Sequence, residues 1–267
     1  MTSPTIATRE EWLAARDALM EREKEHTRLG DELARQRRAL PWVRVEKEYR
    51  FDTESGQKTL AELFDGRSQL LVYHFMFGPS YDAGDPVNSS IGDAVDGVLP
   101  HLQARDATML FVSHAPEDKL RAYRQRMGWS VPWVSDGTSG FNADYGFSST
   151  EEQVRDVVPP LIEGGILPPI VAQNARATGT DVVGYMSEAP GFSAFALEDG
   201  VVYHTYSTTW RGLEFLMSYY AILDRAPKGR DEVEGWQLWL RRHDEYDAIE
   251  EDPSQSRAST PTSSRAA

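Results

Sequence analysis

A chain of 267 residues with 40% hydrophobic and 10% aromatic side chains can bury one sizeable core, with room for additions. Its formal charge of −14 argues against nucleic acid or an anionic membrane as partner, since both would repel it. It has no cysteine, which removes disulfides, thiol catalysis, Fe–S clusters and cysteine-bound zinc together.

In chain order, residues 1–41 predict a helical arm. Thr8 and Glu11 form a capping box, Trp12, Leu13, Leu19 and Met20 make an apolar stripe, Gly30 suggests a break, and Pro41 stops the helix. The charged start offers no signal-peptide core, and no apolar run reaches the ~18 residues of a membrane span, so a cytoplasmic protein is expected. The arm's thin apolar face predicts packing on the body or on a second subunit, as in a symmetric homodimer with embracing arms.

Residues 42–52 alternate like a strand, "TESGQK" turns, and "TLAELFDG" reads as a short helix ended by Gly66. "QLLVYHFMF" is apolar enough for a strand buried on both faces. Residues 89–105 predict a helix kinked at Pro100, "ATMLFVSHA" a second buried strand, and Pro116 the first turn of the next helix. "WSVPWVSD" is short and extended. Residues 137–187 carry two Pro pairs and little periodicity, which predicts an irregular insertion, a lid or an interaction loop. "GFSAFAL" and "VVYHTYS" form a hairpin across "EDG". Two amphipathic helices, "TTWRGLEFLMSYYAILD" and "RDEVEGWQLWLRRHDEY", follow, and residues 247–267 form a polar, disordered tail.

Residues 42–246 therefore read as β-α-β-α-β, a hairpin and a closing helix. A right-handed βαβ unit completed by an antiparallel hairpin is the thioredoxin-like α/β arrangement: a central mixed sheet flanked by helices, here with an N-terminal helical extension and a C-terminal helix.

The segments "YHFMFGP", "LQARDATMLFVSHAPEDKLRAYRQRMGW", "FNADYGFS", "SEAPGFSAFALEDGVVYHTYS", "RGLE" and "PKGRDE" resemble the uncharacterised bacterial and fungal thioredoxin-like proteins often labelled predicted dithiol–disulfide isomerases. The likeness runs from Trp42 to Tyr246 and implies a thioredoxin-like fold. That family commonly reads Gly-Cys-Pro-Ser-Cys-Ser at the start of the first helix. This chain reads Gly84-Asp85-Pro86-Val87-Asn88-Ser89, with Asp85 and Asn88 at the cysteine positions. Disulfide exchange needs a thiolate, so it is excluded here. Many relatives also carry Arg where this chain has His114. The resemblance implies a cis-proline at Pro190, facing the redox loop; the plainer reading is a trans-Pro turn with Gly191.

Several residues then compete between structural and chemical roles. Asp85 reads either as an anionic helix cap or as a metal ligand or general base. His74 and His204 lie on strands as core imidazoles or as ligands, and His114 lies at a strand's carboxyl end, where α/β sheets gather ligands. Ser113 and His114 point to opposite faces, which argues against a Ser–His pair. Together His74, His114 and His204 would make a first-row metal site for copper, iron or zinc, with Asp85 as alternative ligand or base. Tyr73, Tyr81, Asn88, Trp129, Trp133, Tyr145 and Pro190 would line a substrate pocket, and Arg211 would anchor an anionic group or merely pair with acid. No nucleotide-binding motif occurs. The function expected is a cysteine-free oxidoreductase or oxygenase for a small organic molecule, aromatic or polyketide-like, working through a His-ligated metal or else without a cofactor, with Asp85 and His114 as catalytic groups. The alternative is a non-catalytic ligand-binding or interaction module that has lost its redox site.

Overall fold

The computed structural model describes residues 5–232 and 237–247. The chain divides into two compact units, residues 1–43 and 44–267. In the first, α1 (Arg9–Arg38) starts at the expected capping box: Thr8 Oγ1 accepts from Glu11 N–H at 3.3 Å, and Glu11 Oε2 accepts from Thr8 N–H at 2.8 Å. The helix continues through Gly30 without the expected break, held by i,i+3 ion pairs such as Arg22–Glu25 and Lys24–Glu21. It buries none of its side chains.

The strand expected over 42–52 is interrupted. β1 (Val43–Arg44) and β2 (Arg50–Thr53) are its two ends, and β3 (Gly56–Thr59) turns back antiparallel on β2. "TLAELFDG" tightens to a 3-10 turn over Glu62–Phe64, closed by Asp65 and Gly66 in left-handed conformation. β4 (Gln69–His74) then runs into the core, followed by α2 (Pro86–Asp96) and α3 (Leu99–Gln103). Pro100 sits in the first turn of α3 rather than at a kink, because the helix has already ended at Gly97. β5 (Ala107–Ser113), α4 (Glu117–Met127) and β6 (Trp133–Ser135) complete the parallel part.

The insertion at 137–187 is not irregular. It forms short helices α5 (Phe141–Asp144), α6 (Glu151–Arg155), α7 (Val158–Glu163), α8 (Pro169–Thr178) and α9 (Val182–Met186). β7 (Gly191–Glu198) and β8 (Val201–Thr209) make the expected hairpin. The closing helix is a 3-10 stretch, Trp210–Leu216, and then α10 (Ser218–Leu223). Of the second predicted amphipathic helix, residues 233–236 lie outside the described residues; the remainder holds only a 3-10 turn, His243–Glu245. Residues 248–267 of the expected tail also lie outside them.

The sheet order is β1-β8-β7-β4-β5-β6-β2-β3. Within it, β4 and β5 are parallel, β7 is antiparallel to β4, and β8 is antiparallel to β7. This inner order, β5-β4-β7-β8, is thioredoxin-like. Alternation along β4 divides two cores: Leu70 and Val72 pack with Phe51, Phe64, Val112, Phe141 and Phe195, while Tyr73 faces Phe75, Phe111, Trp129 and Trp133. Gly92 lets α2 approach Trp129, whose ring a Cβ there would meet at 2.6 Å. No helix among the described residues is long and apolar enough to cross a membrane.

Candidate functional site

The redox-loop position is sealed. Asp85 caps α2 and is fully buried. Its Oδ1 accepts from the backbone and side-chain N–H of Asn88, both at 2.7 Å. Its Oδ2 accepts from Asn174 Nδ2 at 2.8 Å and from the Tyr185 hydroxyl at 2.9 Å. Burial raises the carboxyl above its ordinary range, opposed by those hydrogen bonds and by the charge of Arg242. Arg242 itself is buried and donates twice to the Gly84 carbonyl, at 3.0 and 2.7 Å. Both carboxylate oxygens are thus engaged twice, and α8 and α9 supply the cover. Asn174 turns its amide N–H groups to this cluster and leaves its own Oδ1 buried without a partner. The cap reading of Asp85 is the one the geometry supports; no atom of it is left for a substrate or metal.

His74 is fully buried, and its ring lies 4.0 Å from that of Phe147. Gly191 makes room for Phe147, since a Cβ there would fall 2.0 Å from the ring. Nδ1 of His74 is 2.8 Å from Asn142 Oδ1 and Nε2 is 2.8 Å from Ser193 Oγ. Ser193 Oγ is 2.8 Å from Ser207 Oγ, which is 2.7 Å from His204 Nε2; that nitrogen is also 3.0 Å from the Tyr206 carbonyl. The ends assign every hydrogen. Asn142 Oδ1 and Tyr206 O can only accept, so His74 carries hydrogen on Nδ1 and His204 on Nε2. Burial pushes His74 down to about 3, so it is neutral and its Nε2 accepts from Ser193. Ser207 then donates to Ser193, and His204 donates to Ser207. All donors point one way, from the half-buried His204 to the buried His74.

His114 is different. The parallel register pairs Val112 with Val134 and Ser113 with Ser135, which brings the next residues, His114 and Asp136, side by side. His114 Nδ1 donates to Asp136 Oδ1 at 2.8 Å, and Asp136 Oδ2 accepts from the Asn142 backbone N–H at 2.9 Å. Asp136 is wholly buried, whereas the His114 side chain is 37% exposed, and no hydrogen bond among the described residues engages its Nε2. The Asp136 hydrogen bond raises His114 above the ordinary imidazole value against the cost of burial, with further help from the charges of Asp136 and Glu188. Glu188 is buried, accepts from Ser148 Oγ at 2.6 Å, and is pushed up to about 8, chiefly by burial. Glu188 therefore keeps its proton at neutral pH, and His114 is displaced toward its protonated form.

A profile of the family described as "Bacterial protein of unknown function (DUF899)" matches residues 1–246. The chain belongs to that DUF899 family. Among solved structures it is similar to peroxiredoxin Q of Xanthomonas campestris, at 14% identity over 65% of this chain and 87% of that one, with a TM-score of 0.42. It is also similar to peroxidoxin BcpB from Mycobacterium tuberculosis (13% identity, 42% and 67% covered, TM-score 0.34) and to a hypothetical protein of Sinorhizobium meliloti 1021 (15%, 61% and 68%, TM-score 0.35). No curated protein matches the sequence. At these identities the likeness concerns the fold alone.

In this DUF899 chain the three expected ligands do not converge. No three His, Asp or Glu groups among the described residues are placed to hold a metal ion. His74 spends both ring nitrogens on side chains, and His204 Nε2 is committed to Tyr206 and Ser207. The expected aromatic pocket is mostly core. Tyr73 donates to Asn88 Oδ1 at 2.7 Å, Tyr81 to the Tyr185 carbonyl at 2.7 Å, Trp129 to Asp93 at 2.8 Å and Trp133 to Ser113 Oγ at 3.0 Å, and all four rings are buried. Tyr145 is half-buried against His204 and Phe141. The peptide before Pro190 is trans, and the Pro190 carbonyl accepts from Thr209 at 2.6 Å. Arg211 is 83% exposed and pairs with Glu214 at 2.8 Å, so it anchors no pocket.

Sequence reasoning missed Asp136 and Glu188. A signal for Asp136 was present: "VSHAP" and "VSDGT" end consecutive parallel strands with the same Val-Ser-x pattern, so in-register pairing juxtaposes the third residues. Glu188 had none, because its burial depends on how the insertion folds.

Proposed function

We propose that this DUF899 protein is a cysteine-free enzyme whose chemistry is proton donation at His114, oriented by Asp136 and assisted by Glu188. The substrate class is a small organic molecule that develops negative charge on a carbonyl or phenolic oxygen. The observation that carries the reading is the Asp136–His114 pair, with one imidazole nitrogen bound and the other open at the carboxyl edge of the sheet. A raised imidazole and a raised carboxyl favour donating protons at pH 7 over accepting them. A hydrogen bond from His114 holds the substrate as its enolate or phenolate, the proton lost to solvent, and that anion is easier to oxidise than the neutral enol or phenol. The oxidoreductase or oxygenase activity expected from the sequence would then rest on the substrate's own electrons, passed to dioxygen, with no thiol required. The module alternative is favoured by the sealed Asp85, which leaves the ancestral redox position without an accessible group.

An indicator phenol separates the two. With wild-type protein, 4-nitrophenol is expected to bind as phenolate, its absorbance titration moving to lower pH; His114→Gln should abolish the shift. For a turned-over phenol or enol, dioxygen uptake should fall by about 10²–10⁴-fold in the same variant. Identical titrations with wild type and variant would overturn the proposal and leave the binding-module reading.

A further inference from the structure

The arm carries an interface of its own, independent of the acid–base reading. Along α1, Trp12, Leu19, His26 and Leu33 recur every seven residues, and Ala15, Arg22, Leu29 and Gln36 follow them by three on the same seam. Trp12, Leu19, Leu29 and Leu33 are 48, 59, 56 and 40% exposed. A seven-residue period held over three heptads suits a second helix wound around the first, because that spacing keeps the seam facing a helical partner. At about 1.5 Å per residue the helix offers a straight run of roughly 45 Å.

The charges say which helix. Residues 9–25 carry six acids against four bases, whereas residues 26–38 carry four bases against two acids. An antiparallel copy sets the acidic half of each helix along the basic half of the other and opposes the two helix dipoles. A parallel copy sets like charge against like. We propose that α1 pairs antiparallel with α1 of a second copy of this chain, joining two chains through a two-helix coiled coil.

Light scattering on the full chain should give twice the 30.0 kDa chain mass at high concentration. Leu19→Glu combined with Leu33→Glu should raise the dimer dissociation constant by about tenfold or more. An unchanged melting transition would show that the variant's body still folds. The absence of native cysteine allows a clean test of direction. Ala15→Cys and Leu33→Cys, which face each other across the antiparallel seam, should each stay uncrosslinked when oxidised separately, and a mixture of the two should form the mixed disulfide. A chain that remains monomeric up to about 100 µM overturns the proposal, as does a dimer indifferent to the double variant. Homodisulfides from the separate variants, or no mixed disulfide, overturn the antiparallel arrangement.

Discussion

Asp85 and Asp136 are both fully buried carboxylates at the carboxyl side of the central sheet, yet they are built for different ends. Asp85 accepts four hydrogen bonds from groups that are themselves buried, and Arg242 is spent on backbone carbonyls and on the Glu245 carboxylate. Asp136 gives one oxygen to a backbone N–H and the other to an imidazole whose far nitrogen is open. The comparison shows that burial of a charge does not mark a site. What distinguishes the two is whether the partner keeps an unengaged titratable atom toward solvent.

The sharpest way to break this contrast is Asp85→Ala. It strands four donors among buried groups, and should cost about 3–5 kcal/mol in urea unfolding. A loss under about 1 kcal/mol would mean that Asp85 is not the structural cap described. Glu188→Gln tests the other region. Folded Glu188 keeps its proton to about pH 8, against an ordinary value of 4.5, so the folded chain binds more protons between those limits. Its contribution is full below pH 4.5 and lost as pH rises to about 8, so the variant should gain about 2–4 kcal/mol over wild type between pH 4 and pH 8. Parallel stability curves would remove Glu188 from the raised-carboxyl role. Asp136→Asn should move the His114 C2-proton NMR titration down, since its main source of elevation is gone. An unmoved titration would dissolve the pair. Smallest of all, Arg211→Ala should change stability by no more than about 0.5 kcal/mol, as befits an exposed ion pair.

The fold was largely legible, because the buried runs at β4 and β5, the crossover between them and the hairpin at 191–209 are signals of period and length. The Thr8–Glu11 cap and the Asp85 cap were legible for the same local reason. The helices of 137–187 were not: most span four to six residues, too short for periodicity to register, and their Pro residues sit at first turns rather than in breaks. His114 could be placed because strand ends are visible in sequence. The expected convergence of His74 and His204 on it was wrong because ligation depends on side-chain direction and competing partners, neither of which residue type reveals. Trp129 and Trp133 illustrate the same limit, since an indole that walls a pocket and one that fills a core have the same letter.

The buried imidazole of His74 clasps positions 68 and 119 residues further along the chain. The clasp on Asn142 needs α5 in place and the clasp on Ser193 needs β7 docked on β4, so we expect both to close after the rate-limiting step of folding. Contacts made after the rate-limiting step leave the refolding rate untouched and act on the escape rate alone. His74→Gln should therefore shorten the lifetime of the folded chain in stopped-flow unfolding while refolding keeps its pace. Unfolding that quickens while refolding keeps its pace would make His74 a closing latch, and a slowed refolding would place it in the folding nucleus instead.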